Sequence, residues 1–235
     1  MRNPRNPRNP WFLPFFLGLA TLLCASDARL DKQLDEERKR DQWQEPQRVM
    51  GQLALFRGAR VADVGAGRGY FTARLSTAVG SDGTVYAVEV DKADLDFLRD
   101  RVDQQHLSNV RVIEGKPDSP ELPPGELDAV LIFNAYHEMR RHQEMLKALY
   151  AALRPGGVLL IGESRPRRTY NGRSDEVSAH VLSENYVRSD AAEAGFGFLR
   201  QAPDLSDPSS SRGTYYLLVF HKEALTAVPD RLPRR

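Results

Sequence analysis

From Met50 onward, apolar runs of strand length alternate with segments whose apolar residues recur at helical spacing. Val61 to Val64 reads as a first short strand, and Gly65-Ala66-Gly67-Arg68-Gly69 follows it directly. Phe71, Leu75 and Val79 then fall on one face of a helix. Thr84 to Val90 is a second strand, rich in β-branched residues that suit a pleated surface. Asp91 predicts the N-cap of a helix whose apolar side carries Leu95, Leu98 and Val102. Val110 to Ile113 and Ala129 to Phe133 give strands three and four. Leu146, Leu149 and Leu153 mark the next helix, Pro155-Gly156-Gly157 stops it, and Val158 to Ile161 is strand five. A further helix starts at Ser183 and ends before Gly195. Two last strands, Phe196 to Leu199 and Tyr215 to His221, flank a loop rich in Pro, Ser and Asp.

Alternation of this kind, with near-continuous apolar strands, builds a parallel sheet covered by helices on both faces. The expected fold is α/β, Rossmann-like and doubly wound, in a single domain over residues 50–222 with a polar tail at 223–235. Ligands of such sheets bind beyond the carboxyl ends of the strands, which is where the glycine turn lies. The 235 residues leave room for one such domain and a leader.

Residues 1–28 do not follow the alternation. Three Arg-Asn-Pro triplets, Arg2 to Pro10, precede a hydrophobic run from Trp11 to Ala25 that only Pro14 interrupts. Positive charge before a short apolar stretch is the form of a signal peptide or membrane anchor, and Ser26 and Ala28 supply a small-x-small cleavage site. The run is shorter than the roughly 20 residues that span a bilayer. Cys24 offers acylation as an alternative, although Leu23 before it is larger than such signals use. Arg2, Arg5 and Arg8 favour a cytoplasmic N-terminus, but Arg29, Lys32, Arg38, Lys39 and Arg40 lie just beyond the run. Export and anchoring on either side of the membrane therefore stay open. Residues 29–49 read as a charged linker with helical potential.

Charge narrows the partners. Lys plus Arg total 33 and Asp plus Glu 32, a net charge of +1, so no nucleic-acid partner is expected. The one cysteine excludes an intramolecular disulfide and a cysteine-based metal cluster. The oligomeric state has no signature here.

The glycine turn carries the first chemical signal. Glycine permits a tight strand-to-helix turn and lets a ligand approach the backbone, while the following helix N-terminus offers unpaired N–H groups. Glu89 ends the second strand about 20 residues later, where an acid accepts hydrogen bonds from ribose hydroxyls. A dinucleotide and an adenosyl cofactor both fit a glycine turn plus a ribose acid. The dinucleotide fingerprint is G-x-G-x-x-G, whereas here the glycines stand on alternate positions and Asp63 precedes them. A carboxylate there repels a pyrophosphate and favours a sulfonium with a free amino group, which points to S-adenosylmethionine.

Val61-Ala-Asp-Val-Gly-Ala-Gly-Arg-Gly69 resembles motif I of the class I S-adenosylmethionine-dependent methyltransferases. Val85-Tyr-Ala-Val-Glu89 is similar to the family's second-strand motif, and Leu153-Arg-Pro-Gly-Gly157 to its turn before strand five. The resemblance runs from roughly Trp43 to His221 and implies a seven-stranded sheet with an antiparallel last strand. It also implies cofactor contacts at Asp63, Gly65, Gly67 and Glu89, and Ala66 and Gly69 of the same turn are expected to bind the cofactor with them. Many members carry a Gly-Asp pair after strand three. Here the stretch is Glu114-Gly115-Lys116-Pro117-Asp118, which leaves Lys116, Pro117 or Asp118 to meet the adenine, with Asp118 the first choice.

A sulfonium methyl is already activated, so the protein has to supply positioning and, where needed, a base. Asn134-Ala-Tyr-His-Glu138 follows strand four and in this fold faces the methyl group. Asn134 is expected to hold cofactor or substrate, and Tyr136 and His137 to be catalytic. His137 is the natural general base, because its unperturbed pKa lies near neutrality; the plainer alternative is a hydrogen bond at the start of the next helix. Tyr-His-Glu has no second ligand pair nearby, so no metal is expected. Arg165, Arg167, Arg168 and Arg173, with Tyr170 among them, suit a lid over an anionic small-molecule acceptor or, more plainly, a solvated loop. His180 precedes the last helix and points to the same cleft by position alone. The expected activity is methyl transfer to a small molecule. An exported, non-catalytic binding protein and a nicotinamide-dependent oxidoreductase are the alternatives.

Overall fold

The computed structural model describes residues 13–207 and 213–224, with side chains from Ala28 onward. The expected leader, with its apolar run and Cys24, lies outside the described residues in its first twelve positions and in its side chains up to Asp27. Among the described residues, no helix is long and apolar enough to cross a membrane.

The chain divides into two compact units, Met1–Arg40 and Asp41–Arg235. Helix α1 spans Leu13–Gln44. Its segment in the first unit carries the ion pairs Arg38–Asp35 and Lys39–Glu36 one turn apart, which in solvent contribute a few tenths of a kcal/mol each.

The second unit begins with the end of α1, then α2 (Pro46–Met50) and a 3-10 turn, Gly51–Leu53. Charge makes residues 41–49 read as linker, yet they pack into this unit. Trp43 stacks on Tyr215 with ring centroids 5.1 Å apart, and Val49, Met50 and Leu53 are buried. A few apolar side chains outweigh the charge around them.

The alternation then unfolds as β1 (Arg60–Val64), α3 (Tyr70–Val79), β2 (Thr84–Glu89), α4 (Lys92–Gln104), β3 (Val110–Glu114) and β4 (Leu127–Phe133). It continues with α5 (His142–Ala152), β5 (Leu153–Ser164), α6 (Arg173–Ser178), α7 (Glu184–Glu193), β6 (Gly197–Ser206) and β7 (Thr214–His221). The seven strands form one sheet in the order β3-β2-β1-β4-β5-β7-β6. All neighbours pair in parallel except β7, which is antiparallel to both β5 and β6. This is the doubly wound α/β fold that the sequence pattern predicts.

Successive strand residues face opposite sides, so each central strand serves two cores. Ala62, Val64, Val130 and Ile132 pack with Leu146 and Leu149 of α5 and Val187 and Ala191 of α7. Val61, Ala129 and Leu131 pack with Phe71, Leu75 and Val79 of α3. Removing a Leu or Val of this kind from water contributes about 1.5–3 kcal/mol. Asp91 caps α4 as expected, its Oδ1 accepting the Asp94 N–H at 3.0 Å.

Three elements differ from the pattern. Leu153 begins β5 rather than ending α5, pairing with Leu127 before an irregularity in the ladder. Pro155-Gly156-Gly157 therefore lies within the strand, where Gly156 takes φ +80°. Strand β6 runs on through Pro203, which the ladder tolerates because β6 is an edge. Helix α6 forms within the arginine-rich segment that reads as loop.

Strands β1 and β4 are neighbours, and their connections leave in opposite directions, β1 toward β2 and β4 toward β5. The crevice at their carboxyl ends is the switch point where such sheets hold ligands.

Candidate active site

At that crevice β1 ends on Val64, and Gly65, Gly67 and Gly69 take φ of +74°, +53° and +83°. Side chains avoid this left-handed region, so the alternate glycines are what the turn requires. The Gly65 and Ala66 N–H groups bond the Val88 carbonyl, tying the turn to the end of β2. Glu89, the last residue of β2, locks it from the other side. Its Oε2 accepts the Gly67 N–H at 2.7 Å, and its Oε1 accepts those of Val90 and Asp91 at 2.7 and 3.0 Å.

A cavity of about 550 Å³ opens between this turn and the segment after β4. Gly65, Gly67, Glu89 and Asn134 of the expected residues line it, together with Asp91, Asp94, Lys116, Pro117, Met139 and Arg140. Asn134 is held at φ +54° and donates its N–H to the Gly162 carbonyl at 2.7 Å, while its Oδ1 is buried without a hydrogen-bond partner. A buried acceptor in that condition is destabilising until something donates to it.

Four expected contacts sit elsewhere. Asp63 is buried beneath the turn, accepting the Thr72 hydroxyl at 2.6 Å, and does not line the cavity. Ala66 packs with Ala87 and Leu98, and Gly69 is the N-cap of α3, so both shape the turn from behind. Asp118 forms an ion pair with Arg141, leaving Lys116 and Pro117 on the cavity wall. Sequence proximity could not reveal that pairing.

Tyr136, His137 and Glu138 form a 3-10 turn that sends successive side chains in different directions. Tyr136 is fully buried, and its O–H donates to Asp190 of α7 at 2.8 Å. Burial, reinforced by the Asp190 charge, pushes its pKa well above that of an ordinary phenol. It is thus a fixed donor joining the β4 segment to α7 and does not line the cavity on the glycine turn. His137 is held by Glu163 of β5, whose side chain is fully buried. The His137 N–H donates to Glu163 Oε1 at 3.2 Å, and Nδ1 lies 2.9 Å from Oε2. A carboxylate can only accept, so Nδ1 carries the hydrogen and the lone pair is on Nε2. Glu163 lies outside every motif quoted above. Its signal is an acid at the carboxyl end of an otherwise apolar strand.

A second cavity of about 650 Å³ adjoins the first through the shared residues Glu138, Met139 and Arg140. His137, His142, Arg173, Val177 and His180 complete most of its wall. His180, placed near the cleft by sequence position alone, lies with its Nδ1 3.3 Å from His137 Nε2. The four arginines of the expected lid are dispersed. Arg173 faces this cavity but is paired with Asp190 at 2.6 Å. Arg165 is paired with Glu184 and Asp204, and with Arg167 and Arg168 it lines a separate open groove.

Comparison with known proteins agrees with this geometry. A methyltransferase-domain family matches residues 61–157. The chain is 31% identical, over 134 residues, to a probable cobalt-precorrin-6B C(15)-methyltransferase (decarboxylating) of Sulfolobus acidocaldarius, a match covering 56% of this chain and 68% of that one. It is 30% identical, over 119 residues, to the ubiquinone/menaquinone biosynthesis C-methyltransferase UbiE of Azotobacter vinelandii, covering 50% and 47%. The match spans between 47% and 68% of the length of the first curated relatives. Among solved structures, a SAM-dependent methyltransferase from Aquifex aeolicus superposes with a TM-score of 0.65 at 23% identity, over 81% of this chain and 95% of that one. With the alternate-glycine turn, the acid at the end of β2 and the β3-β2-β1-β4-β5-β7-β6 sheet already in place, these matches establish that the chain belongs to the class I S-adenosylmethionine-dependent methyltransferases.

Proposed function

We propose that this protein methylates a small-molecule acceptor held in the second cavity, using S-adenosylmethionine held in the first. The observation that carries the reading is the shared wall, Glu138 to Arg140, between a cavity built on the glycine turn and one that contains His137. A volume of about 550 Å³ is within the range of cofactor sites. The lining suits the cofactor: Glu89 has acceptor capacity beyond its three N–H bonds for ribose hydroxyls, and Asn134 Oδ1 needs a donor, which an amino group provides. Gly67 leaves the edge open, since nothing lies within 4 Å of where its Cβ would be. Lys116 and Pro117 take the adenine-contact role that sequence gave to Asp118. Asp63 acts on charge from behind the turn.

When bound, S-adenosylmethionine supplies a methyl group on a positively charged sulfur. The chain's own residues hold the acceptor and take its proton, which goes to His137 Nε2. Glu163 fixes the tautomer and stabilises the imidazolium that forms. Tyr136 positions the segment through Asp190. The relatives named for precorrin and quinone methylation make small, extended ring systems the first acceptors to assay. Formation of S-adenosylhomocysteine is the readout. His137→Ala should lower turnover by about 10²–10⁴ with cofactor affinity retained; unchanged turnover would remove His137 from the mechanism. We carry residues 1–28 as a targeting or anchoring segment. The mature N-terminus, read by mass spectrometry with cell fractionation, tests this, and an intact Met1 in the soluble fraction would refute it.

A further inference from the structure

Three side chains with metal-ligating atoms converge on the second cavity. His137 Nε2 lies 3.3 Å from His180 Nδ1 and 3.6 Å from Glu138 Oε1, and His180 Nδ1 lies 3.9 Å from the same oxygen. We propose that His137, Glu138 and His180 form a three-ligand site for a divalent transition-metal ion of the zinc class, open to the acceptor.

The spacing is the first argument. Zinc-type bonds of about 2.0–2.2 Å put neighbouring tetrahedral ligand atoms about 3.3–3.6 Å apart. Two of the three separations match, and the third is longer by only a few tenths of an ångström, on an exposed carboxylate that is free to adjust. The second argument is the hydrogen bond from His137 Nδ1 to Glu163 Oε2. A buried carboxylate on the far nitrogen orients a histidine, fixes its lone pair on Nε2 and raises its basicity, as in carboxylate–histidine–metal triads. The third is charge. Glu138 and Glu163 offset a divalent cation, and Arg173 on the same wall is already neutralised by Asp190. Two nitrogens and one oxygen suit zinc, cobalt or nickel rather than magnesium. His180 comes from 43 residues further along, so the fold supplies the ligand that the Tyr-His-Glu triplet lacks.

Three protein ligands leave a fourth position, as in catalytic rather than structural sites. An acceptor hydroxyl or thiol bound there loses its proton to solvent at lower pH, because the cation stabilises the anion. With the cation present His137 Nε2 is a ligand, and without it Nε2 is the base. The site's location beside an acceptor rests on the proposed methyl transfer; its affinity for metal does not.

The test uses the full, untagged chain stripped with a chelator and titrated with Zn²⁺ alone by calorimetry, and with Co²⁺ alone by visible absorption. One equivalent should bind, and cobalt should give the intense visible bands of tetrahedral coordination. His180→Ala, at an exposed position, should weaken binding at least tenfold and abolish those bands. Glu163→Gln should weaken it about 10–100-fold. Absence of binding, or equal binding by wild type and His180→Ala, would overturn the site. S-adenosylhomocysteine titrated into the same samples separates the two proposals. Cofactor binding without metal binding removes the metal site alone, and metal binding without cofactor binding removes the methyl-transfer reading alone.

Discussion

Gly65 and Gly67 both sit at positive φ two residues apart, yet a methyl group added to each meets different surroundings. At Gly65 it would overlap the Ala135 Cβ, which is attached directly to the backbone of the segment after β4 and has no flexible end to swing aside. At Gly67 nothing lies within 4 Å, because that position faces the cavity. Gly65→Ala therefore adds about 1–2 kcal/mol of left-handed strain to about 1–3 kcal/mol of overpacking, or about 2–5 kcal/mol in total. Gly67→Ala adds the strain alone. For a domain of this size each kcal/mol moves Tm by about 2–4 °C. Gly65→Ala should then lose about 4–20 °C in a thermal melt, and Gly67→Ala about 2–8 °C. Gly67→Ala should instead show its damage in calorimetry, with S-adenosylhomocysteine binding at least tenfold more weakly to a folded protein. If Gly67→Ala is the less stable variant, or Gly65→Ala melts with wild type, then the packing of the turn against Ala135 is wrong.

Two further predictions address the scaffold. Asp190 accepts from Tyr136 and Arg173 together, so Asp190→Ala strands a buried hydroxyl and a half-buried cation and should destabilise by about 2–4 kcal/mol. Denaturant midpoints test this, and a change below about 0.5 kcal/mol would mean that the network is decorative. Burial, aided by the Glu163 charge, holds the Tyr216 phenol well above its ordinary pKa. The unfolded chain thus releases this proton first, and stability that is complete below about pH 10 falls above it, by up to about 1.4 kcal/mol per pH unit. Phenolate absorbance in an alkaline titration should show Tyr216 ionising only together with unfolding, and Tyr216→Phe should flatten that alkaline loss. Early reversible ionisation of Tyr216 would refute the burial argument.

What could be read from sequence divides along a physical line. The turn from Gly65 to Gly69, the acid at Glu89 and the cap at Asp91 are local backbone matters, decided by residues a few positions apart. The sheet followed from runs of Val, Ile and Leu that suit only strands buried on both faces. What needed the fold was anything decided by a partner far along the chain. Sequence order offers Asp118 as an adenine contact, whereas in the fold it pairs with Arg141. Tyr136 and His137 looked like a pair, but the 3-10 turn directs one to Asp190 and the other to Glu163. His137, Glu163 and His180 come from three separate segments, so no spacing rule could assemble them. Pro155-Gly156-Gly157 looked like a helix stop, and the irregular β4–β5 ladder absorbed it into a strand.

The cofactor cavity built on the glycine turn and Glu89 is tested by calorimetric titration of the full chain with S-adenosylhomocysteine and, in parallel, NAD. One site for S-adenosylhomocysteine, none for NAD, and loss of binding in a folded Glu89→Ala variant are expected. Failure of the folded wild-type protein to bind S-adenosylhomocysteine, or binding that is indifferent to Glu89→Ala, would contradict it.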